Sequence, residues 1–434
     1  MKTNVKCLTF GLMVFAFAVL GTTPVSAQDP CADTDSITAA DAKVRDNFPK
    51  IETLKIAVDA GKEYIQKYGT CEVSKTFVEW LNVQIPAWEK QIQHNADLAW
   101  RKARVEKFDN GIKNSKFDDS YAAGSELLSK YPDNMNFILP LGLIGLYESY
   151  KNNYKYNDDT VRYAKIAIDK FKAGGVVSKK DKDGKPVLDK TGKEVYGPFQ
   201  FERNKDEALS ELTYTLAHIN YYAKKDRRAA LPYYYEVTQM PGIYKDEPRL
   251  FITLGSFYIE ESAPLARELV ALIEKQKAAV TDAEKEKLDA DFKAKEALYN
   301  GYNERALDAF GRAYKAANES IASEKTLKAD VYKKLQILYE QRFEKKGGLD
   351  VYINSSTVKP LPNPASEVSP VFDPEPVTTA TVGANTTAVN TGTVKAAPAA
   401  AAVPEANAGA SAPAKRAAVK GKAVRPAKRA VKKP

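Results

Sequence analysis

Apolar residues recur at a helical spacing through most of the chain, from about Ser36 to Lys346. The spacings of three and four are clear in the runs Ile51-Leu54-Val58, Phe77-Trp80-Leu81-Gln84-Trp88 and Leu212-Leu216-Ile219. Alternating apolar runs of strand length are nearly absent, and Gly, Pro and Asn interrupt the pattern at intervals of about one helix pair. The pattern therefore predicts an all-α chain built from antiparallel pairs of helices.

Two short motifs recur within this helical region. The first places a Leu-Gly pair after a large apolar residue, at Ile138-x2-Leu141-Gly142 and at Phe251-x2-Leu254-Gly255-x2-Tyr258. The second follows in the next helix, at Ala164-x3-Ile168-x2-Phe171, Ala230-x3-Tyr234-x2-Val237 and Ala306-x3-Phe310-x2-Ala313. A small residue lets two helices approach closely, and the large residue fills the groove beside it.

With these motifs, residues 111–346 resemble the tetratricopeptide-repeat family. The resemblance implies a solenoid of helical hairpins whose first helices line a concave groove for extended peptides or partner helices. The second-helix motifs are 66 and 76 residues apart, whereas the usual period is about 34. Each gap is therefore expected to hold an insertion, at about 174–200 and 262–303. An irregular helical bundle without a groove is the alternative.

The two predicted insertions differ in character. The first contains an internal repeat of eight residues, Asp181-Lys-Asp-Gly-Lys-Pro-Val-Leu followed by Asp189-Lys-Thr-Gly-Lys-Glu-Val-Tyr. Asp-x-x-Gly favours a tight turn, so a small β-hairpin or three-strand flap is predicted over 176–199. The second insertion is highly charged with helical periodicity, which predicts an extra helical hairpin.

The resemblance also implies which side chains face the groove. The matched first-helix positions are Leu139, Leu143, Leu146, Tyr147, Ile219, Tyr222, Ile252, Ser256 and Glu260. The candidates for partner binding are Leu143, Tyr147, Tyr222, Ser256 and Glu260. Because this set is unusually apolar, it indicates either a hydrophobic peptide groove or a surface that the flap or the N-terminal helices cover.

The first 27 residues have the pattern of a secretory signal peptide. Lys2 and Lys6 precede an apolar run from Phe10 to Leu20, and Val25-Ser26-Ala27 offers small residues for cleavage before Gln28. The apolar run is shorter than the roughly 20 residues that a membrane span needs. An exported protein without an integral membrane span is therefore predicted, in the periplasm or outside the cell, with a helical region over 28–110.

Cysteine content fits export. Cys7 would leave with the signal peptide, so the mature chain keeps only Cys31 and Cys71. A pair of cysteines in an oxidising compartment predicts one disulfide, with two unpaired thiols as the alternative. No histidine lies at metal-ligand spacing from either cysteine, so no metal site is predicted.

The composition changes after Ile353, where Pro, Thr, Ala and Val replace the helical pattern. With so few residues to bury, 355–434 is predicted to be disordered. From Lys395 onward the chain has ten Lys or Arg and one acid, so this tail accounts for the whole formal charge of +9. With +2 from the signal peptide, residues 28–394 sum to about −2. The polyanion-binding candidates are Lys415, Arg416, Lys420, Lys422, Arg425, Lys428, Arg429, Lys432 and Lys433.

Signals of enzymatic chemistry are weak. The chain has two histidines, His94 and His218, which lie far apart in sequence. His218 falls where the repeat packs small residues and is interpreted as a partly buried packing residue. There is no Gly-rich phosphate loop, nucleophile elbow or metalloprotease motif, so neither an enzyme nor a cofactor is predicted.

Taken together, these patterns predict a non-enzymatic scaffold of a bacterial envelope that binds an envelope protein or peptide, while its cationic tail tethers it to an anionic surface polymer. One alternative is an extracytoplasmic protein that binds nucleic acid or another polyanion through the tail. A second alternative is an envelope assembly factor or an enzyme with its site in the insertions.

Overall fold

The structure is a computed structural model that describes residues 29–374. The described chain is mostly helical, with one small antiparallel sheet between 173 and 205. The helices are α1 Thr34–Arg45, α2 Leu54–Tyr68, α3 Lys75–Lys113, α4 Phe117–Lys130, α5 Met135–Leu141, α6 Ile144–Ser149, α7 Asn157–Ala173, α8 Lys205–His218, α9 Arg227–Gln239, α10 Pro248–Ala278, α11 Asp282–Ala316, α12 Ala322–Phe343 and α13 Leu349–Ser356. The two strands are β1 Val195–Tyr196 and β2 Arg203–Asn204.

The chain divides into two compact units, one up to Ala103 and one from Arg104 onward. The division falls within α3, close to the end of the N-terminal region predicted at 28–110. Within residues 29–374, no helix is both long enough and apolar enough to cross a membrane. The predicted signal peptide, 1–27, lies outside the described residues.

The first unit is built from α1, α2 and the first part of α3. Its core combines Val44, Leu54 and Leu81 with aromatic rings, among which those of Phe48 and Trp88 stack with centroids 5.5 Å apart. A disulfide joins Cys31, in a short 3₁₀ turn before α1, to Cys71, just after α2. It therefore fastens both ends of the α1–α2 pair.

The second unit has its main core around α10 and α11. The motif residues Leu254, Ala306 and Phe310 are all buried there, together with Leu335 of α12. An ideal Cβ placed on Gly255 would lie 2.8 Å from the ring of Phe310, so only glycine permits this approach of the two helices. The small residue of one motif thus faces the large residue of the other.

Residues 262–303 do form a helical hairpin, but it is not an extra unit beside the repeats. In the structure α10 continues through this region to Ala278 and α11 starts at Asp282, so the segment is the distal part of one long hairpin. Pro264 does not end α10. Ion pairs such as Lys295–Glu268, at 2.5 Å, join the two helices where the buried apolar contacts become fewer.

The first insertion forms the predicted turns. Oδ1 of Asp181 accepts the N–H groups of Asp183 and Lys185, at 2.9 Å each, and Asp189 does the same for Thr191 and Lys193. Backbone hydrogen bonds then join three short extended runs, around Lys179, Val187 and Val195. Beyond the predicted boundary, β1 also pairs with β2, which leads directly into α8.

The prediction that disorder begins at 355 is wrong for the described residues. Residues 355 and 356 belong to α13, and residues 357–374, here called the strap, run back along α11. Leu361 and Val368 pack against the main core, and Pro364 is buried. The strap lacks a helical pattern because its prolines prevent a helix, yet it still has apolar residues to bury. The rest of the predicted disordered tail, from 375, lies outside the described residues.

We expect that removing the strap destabilises the second unit. A chain that ends at Ser356 should melt at a lower temperature than a chain that ends at Pro374, because only the shorter one loses the contacts with α11. The melting temperature of a large domain falls by about 2–4 °C for each kcal/mol lost. Circular dichroism melts of both chains measure the difference, and equal melting temperatures would contradict the strap contacts.

Candidate interaction surface

The insertion covers the first part of the predicted groove. Leu139, Leu143 and Leu146 are completely buried, so they cannot contact a partner. An ideal Cβ on Gly197 of the insertion would lie 3.3 Å from Leu139, and the ring of Phe201 packs edge-on against Tyr147 with centroids 5.7 Å apart. The assignment of Leu143 as a partner-binding residue is therefore wrong, because this stretch is core.

A buried polar network fixes Tyr147 in place. Its hydroxyl donates to Oε1 of Glu211, a residue of α8 that is only 1% exposed. Nε of Arg203 donates to Oε2 of Glu211 at 2.6 Å, and Nη2 of Arg203 donates to the Tyr147 hydroxyl at 3.0 Å. Burial, followed by the charge of Glu211, raises the pKa of Tyr147 above its usual value. A buried ion pair that also satisfies a tyrosine is a structural clamp between the insertion and the helices.

The remaining predicted positions are more accessible. Tyr222 is half-buried, and its hydroxyl shares a hydrogen bond of 2.7 Å with Thr253 Oγ1. Ser256 is half-buried in α10, while Glu260 is exposed and pairs with Arg227 of α9. Ile219 and Ile252, predicted on the same face, are buried. The structure thus leaves a narrow polar strip where the resemblance implied a continuous apolar groove.

His218 lies within the tyrosine-rich core, more deeply buried than its pattern predicts. It is 3% exposed, and the ring centroids of Tyr222 and Tyr150 lie 4.8 and 5.0 Å from its own. Among the described residues, no group hydrogen-bonds to its Nδ1 atom. Burial lowers the pKa of His218 to about 4, so the imidazole is neutral in the folded protein at neutral pH. A π-helical turn, Ile219–Ala223, follows it directly.

The surface that holds an extended segment is the outer face of α11. Arg305 donates to three strap carbonyl groups, those of Asn363, Ser366 and Glu367, the last at 2.7 Å. Nearer the end of α11, Arg312 donates to the carbonyl of Lys359 at 2.6 Å. These hydrogen bonds are made to backbone carbonyl groups of the strap, which are present whatever its amino-acid sequence.

The other end of the strap is fastened by a charge and by a direct backbone contact. The Val371 N–H donates to the carbonyl of Ala297 at 2.7 Å. Asp373 accepts from Arg342 of α12 at 2.7 Å, and the Arg342 side chain is only 4% exposed. Glu304 binds the same guanidinium, at 3.0 Å from Nε. Arg342 therefore holds an acidic residue of the strap at the edge of the core.

Sequence reasoning did not find this surface. Arg305 and Arg342 follow the ordinary pattern of charged helix faces, and the composition of the strap does not distinguish it from the tail. The available signal was the spacing of Leu361, Pro364 and Val368 among prolines, which supplies buried anchors without a helix. The polyanion-binding candidates, Lys415, Arg416, Lys420, Lys422, Arg425, Lys428, Arg429, Lys432 and Lys433, lie outside the described residues.

Between residues 29 and 374, the His, Cys, Asp and Glu side chains form no group of three that could hold a metal ion. No protein-family model, curated protein or solved structure shows a significant match to the chain. The geometry of α10 to α13 and the strap is therefore what indicates a function.

The clamp predicts the effect of changing Tyr147. Tyr147→Glu should unfold or strongly destabilise the second unit, by about 3 kcal/mol or more, because it places a second buried carboxylate beside Glu211. Tyr147→Phe loses only the hydroxyl contacts and should cost about 1–3 kcal/mol. Urea unfolding measures both. Glu260→Gln is the control at an exposed position, and a Tyr147→Glu protein as stable as this control would refute the clamp.

Because His218 is buried, we expect the free energy of unfolding to depend on pH. Below its usual pKa of about 6.5 the unfolded chain takes up a proton, whereas the folded protein resists protonation until about pH 4. The free energy of unfolding should therefore fall between pH 6.5 and 4, by about 3 kcal/mol from this residue alone. His218→Phe should remove that part of the slope.

Buried carboxyl groups also contribute to the pH dependence of stability. Burial raises the pKa of Glu247 and Asp308, but both are present in the wild type and in the variant, so they cancel in the comparison. His94→Gln is the matched control, because this side chain is exposed on α3. An equal slope in the wild type and His218→Phe would contradict the assignment.

Proposed function

We propose that the protein is an exported, non-enzymatic scaffold of a bacterial envelope, which binds an envelope protein or peptide and is tethered to an anionic polymer by its cationic tail. The observation that carries the proposal is the strap on α11 and α12. These helices hold an extended segment through its backbone carbonyl groups and one acidic side chain. That is the contact chemistry of a peptide-binding surface rather than of a catalytic site.

Membership of the tetratricopeptide-repeat family is part of the proposal. It is supported by the burial of all three second-helix motifs, which lie in α7, α9 and α11. It is further supported by Gly142, where an ideal Cβ would lie 3.0 Å from the backbone nitrogen of Ala164 in α7. The pair Gly255–Phe310 repeats this relation between α10 and α11. Such a close approach of a small residue to a following helix is what the resemblance implies.

Export is supported by the sequence of residues 1–27 and by the disulfide. A bond between Cys31 and Cys71 is stable in an oxidising compartment, while cytoplasmic thiols are kept reduced. Outside the cytoplasm, a tail of ten cations meets lipid phosphates, acidic wall polymers or extracellular DNA. The alternative function, polyanion binding by the tail alone, is favoured by that same concentration of charge after Lys395.

The tether predicts binding to polyanions that depends on salt. The full chain should bind heparin, and its affinity should fall steeply between about 50 and 200 mM salt, because each anionic contact releases a counterion. Deleting 395–434 should abolish this binding, since residues 28–394 carry a formal charge of about −2. Fluorescence titration at several salt concentrations measures it.

A shuffled tail provides the control. Reordering residues 395–434 keeps the charge, so heparin affinity should be unchanged if only charge density matters. A shuffled tail that no longer binds would overturn the tether, because the tail would then be recognised as a sequence motif by a specific protein.

A further inference from the structure

The contacts on α11 form a recognition site for the strap. The guanidinium carbon of Arg305 lies 5.8 Å from the ring centroid of Tyr258 in α10, which holds the side chain over the strap. Its planar donors then reach three carbonyl groups around a turn at Asn363–Ser366, where the Ser366 N–H donates to the Asn363 carbonyl. A cation held by a neighbouring ring loses little side-chain freedom when it binds a backbone.

Gly301 adds a steric requirement. This residue lies inside α11, where glycine costs roughly 1 kcal/mol relative to alanine. An ideal Cβ at this position would lie 2.3 Å from the carbonyl oxygen of Ser369 in the strap. The close approach of an extended backbone therefore needs a glycine here, and nearby Asn300 donates its amide to the carbonyl of Val371 at 3.4 Å.

Arg342 selects the charge of the bound segment. Its side chain is almost fully buried, and the strap supplies one of its two anionic partners, Asp373. The side chain of Asp373 is itself 57% exposed, so an acidic side chain at the surface pairs with a buried cation. A segment without an acid at this position leaves Arg342 with Glu304 alone.

The strap is held less firmly than a core segment. Leu361, Val368 and Val371 are only half-buried, while the ring of Phe372 is 67% exposed. Pro364 is the one buried residue of the strap. Backbone hydrogen bonds to charged donors supply much of the attachment, and a competing peptide could make the same bonds.

We propose that the face formed by α11 and the end of α12 is a binding site for an extended, proline-containing segment of another protein, with an acidic residue five positions after an apolar one. Val368 and Asp373 display that pattern in the strap, which occupies the site in cis. This inference rests on the proposed scaffold function and identifies the class of partner.

A second copy of this chain is a poorer occupant. Each copy carries its own strap, whose short connection to α13 gives a local concentration on the order of millimolar. Exchange between copies would therefore replace identical contacts without gaining any. A separate protein gains access when its segment binds more tightly or is locally concentrated by the tether.

The test uses a fluorescein-labelled peptide with the sequence of residues 357–374 and the full chain. The strap variant carries two substitutions, Val368→Asp and Asp373→Lys. They weaken the attachment of the strap and leave the sequence of α11 unchanged. Fluorescence anisotropy should show the peptide binding this variant at least ten-fold more tightly than the wild type, because the strap no longer competes. A peptide with Asn in place of Asp373 should bind more weakly.

Matched glycine variants identify the site. Adding Gly301→Ala to the strap variant should abolish peptide binding. Adding Gly311→Ala should not, because an ideal Cβ there lies 3.3 Å from the methyl group of Thr357, at the very start of the strap, which needs to shift by only a few tenths of an ångström. Equal binding to wild type and strap variant, or equal effects of the two alanines, would overturn the proposal. Sedimentation that shows a strap-exchanged dimer of the wild type would also overturn it, by assigning the site to a second copy.

The two proposals fail separately. The peptide titration contains no heparin, and the wild type and the strap variant carry the same residues 395–434, so failure of the tether leaves the difference between them unchanged. Conversely, a protein that binds heparin through its tail but fails to bind the peptide retains the tether and loses this site.

Discussion

The packing of α10 against α11 is the contact on which the second unit depends. The two helices meet where Gly255 admits the ring of Phe310, and the main core extends from there to α9, α12 and α13. The strap runs along the part of α11 that carries this core, from Lys315 back to Ala297. A wider separation at Gly255 would move Arg305 away from Tyr258 and disturb the surface that binds the strap.

The insertion between α7 and α8 has the opposite effect on the surface. Its end is attached by the ion pair of Arg203 with the buried Glu211, and Phe201 then closes over Tyr147. An apolar stretch that an open solenoid would present to a peptide has become core. The exposed binding chemistry of the second unit is consequently polar and lies on α11, which belongs to the second-helix class of the implied repeats.

The strap connects this surface with the tether. It begins directly after α13 and leads toward the cationic residues after Lys395, so one segment of chain lies between the helical body and the proposed anchoring tail. Backbone recognition by Arg305 tolerates many sequences, whereas Gly301 and Arg342 impose shape and charge. This combination suits a scaffold that has to hold a class of segments rather than one rigid partner.

The sequence by itself determined the features whose causes are local. Helical period placed the motif residues Ala164, Ala230 and Ala306 on buried faces, and Asp-x-x-Gly specified both turns of the insertion through hydrogen bonds within five residues. Only the tertiary structure decided which faces remain open. That outcome depends on contacts between distant residues, such as Tyr147 with Arg203 and Arg305 with Glu367, and neither period nor composition encodes such pairings. Sequence patterns predict disorder for a proline-rich segment with few apolar residues, because the helix that hydrogen-bonds to its backbone is distant in sequence.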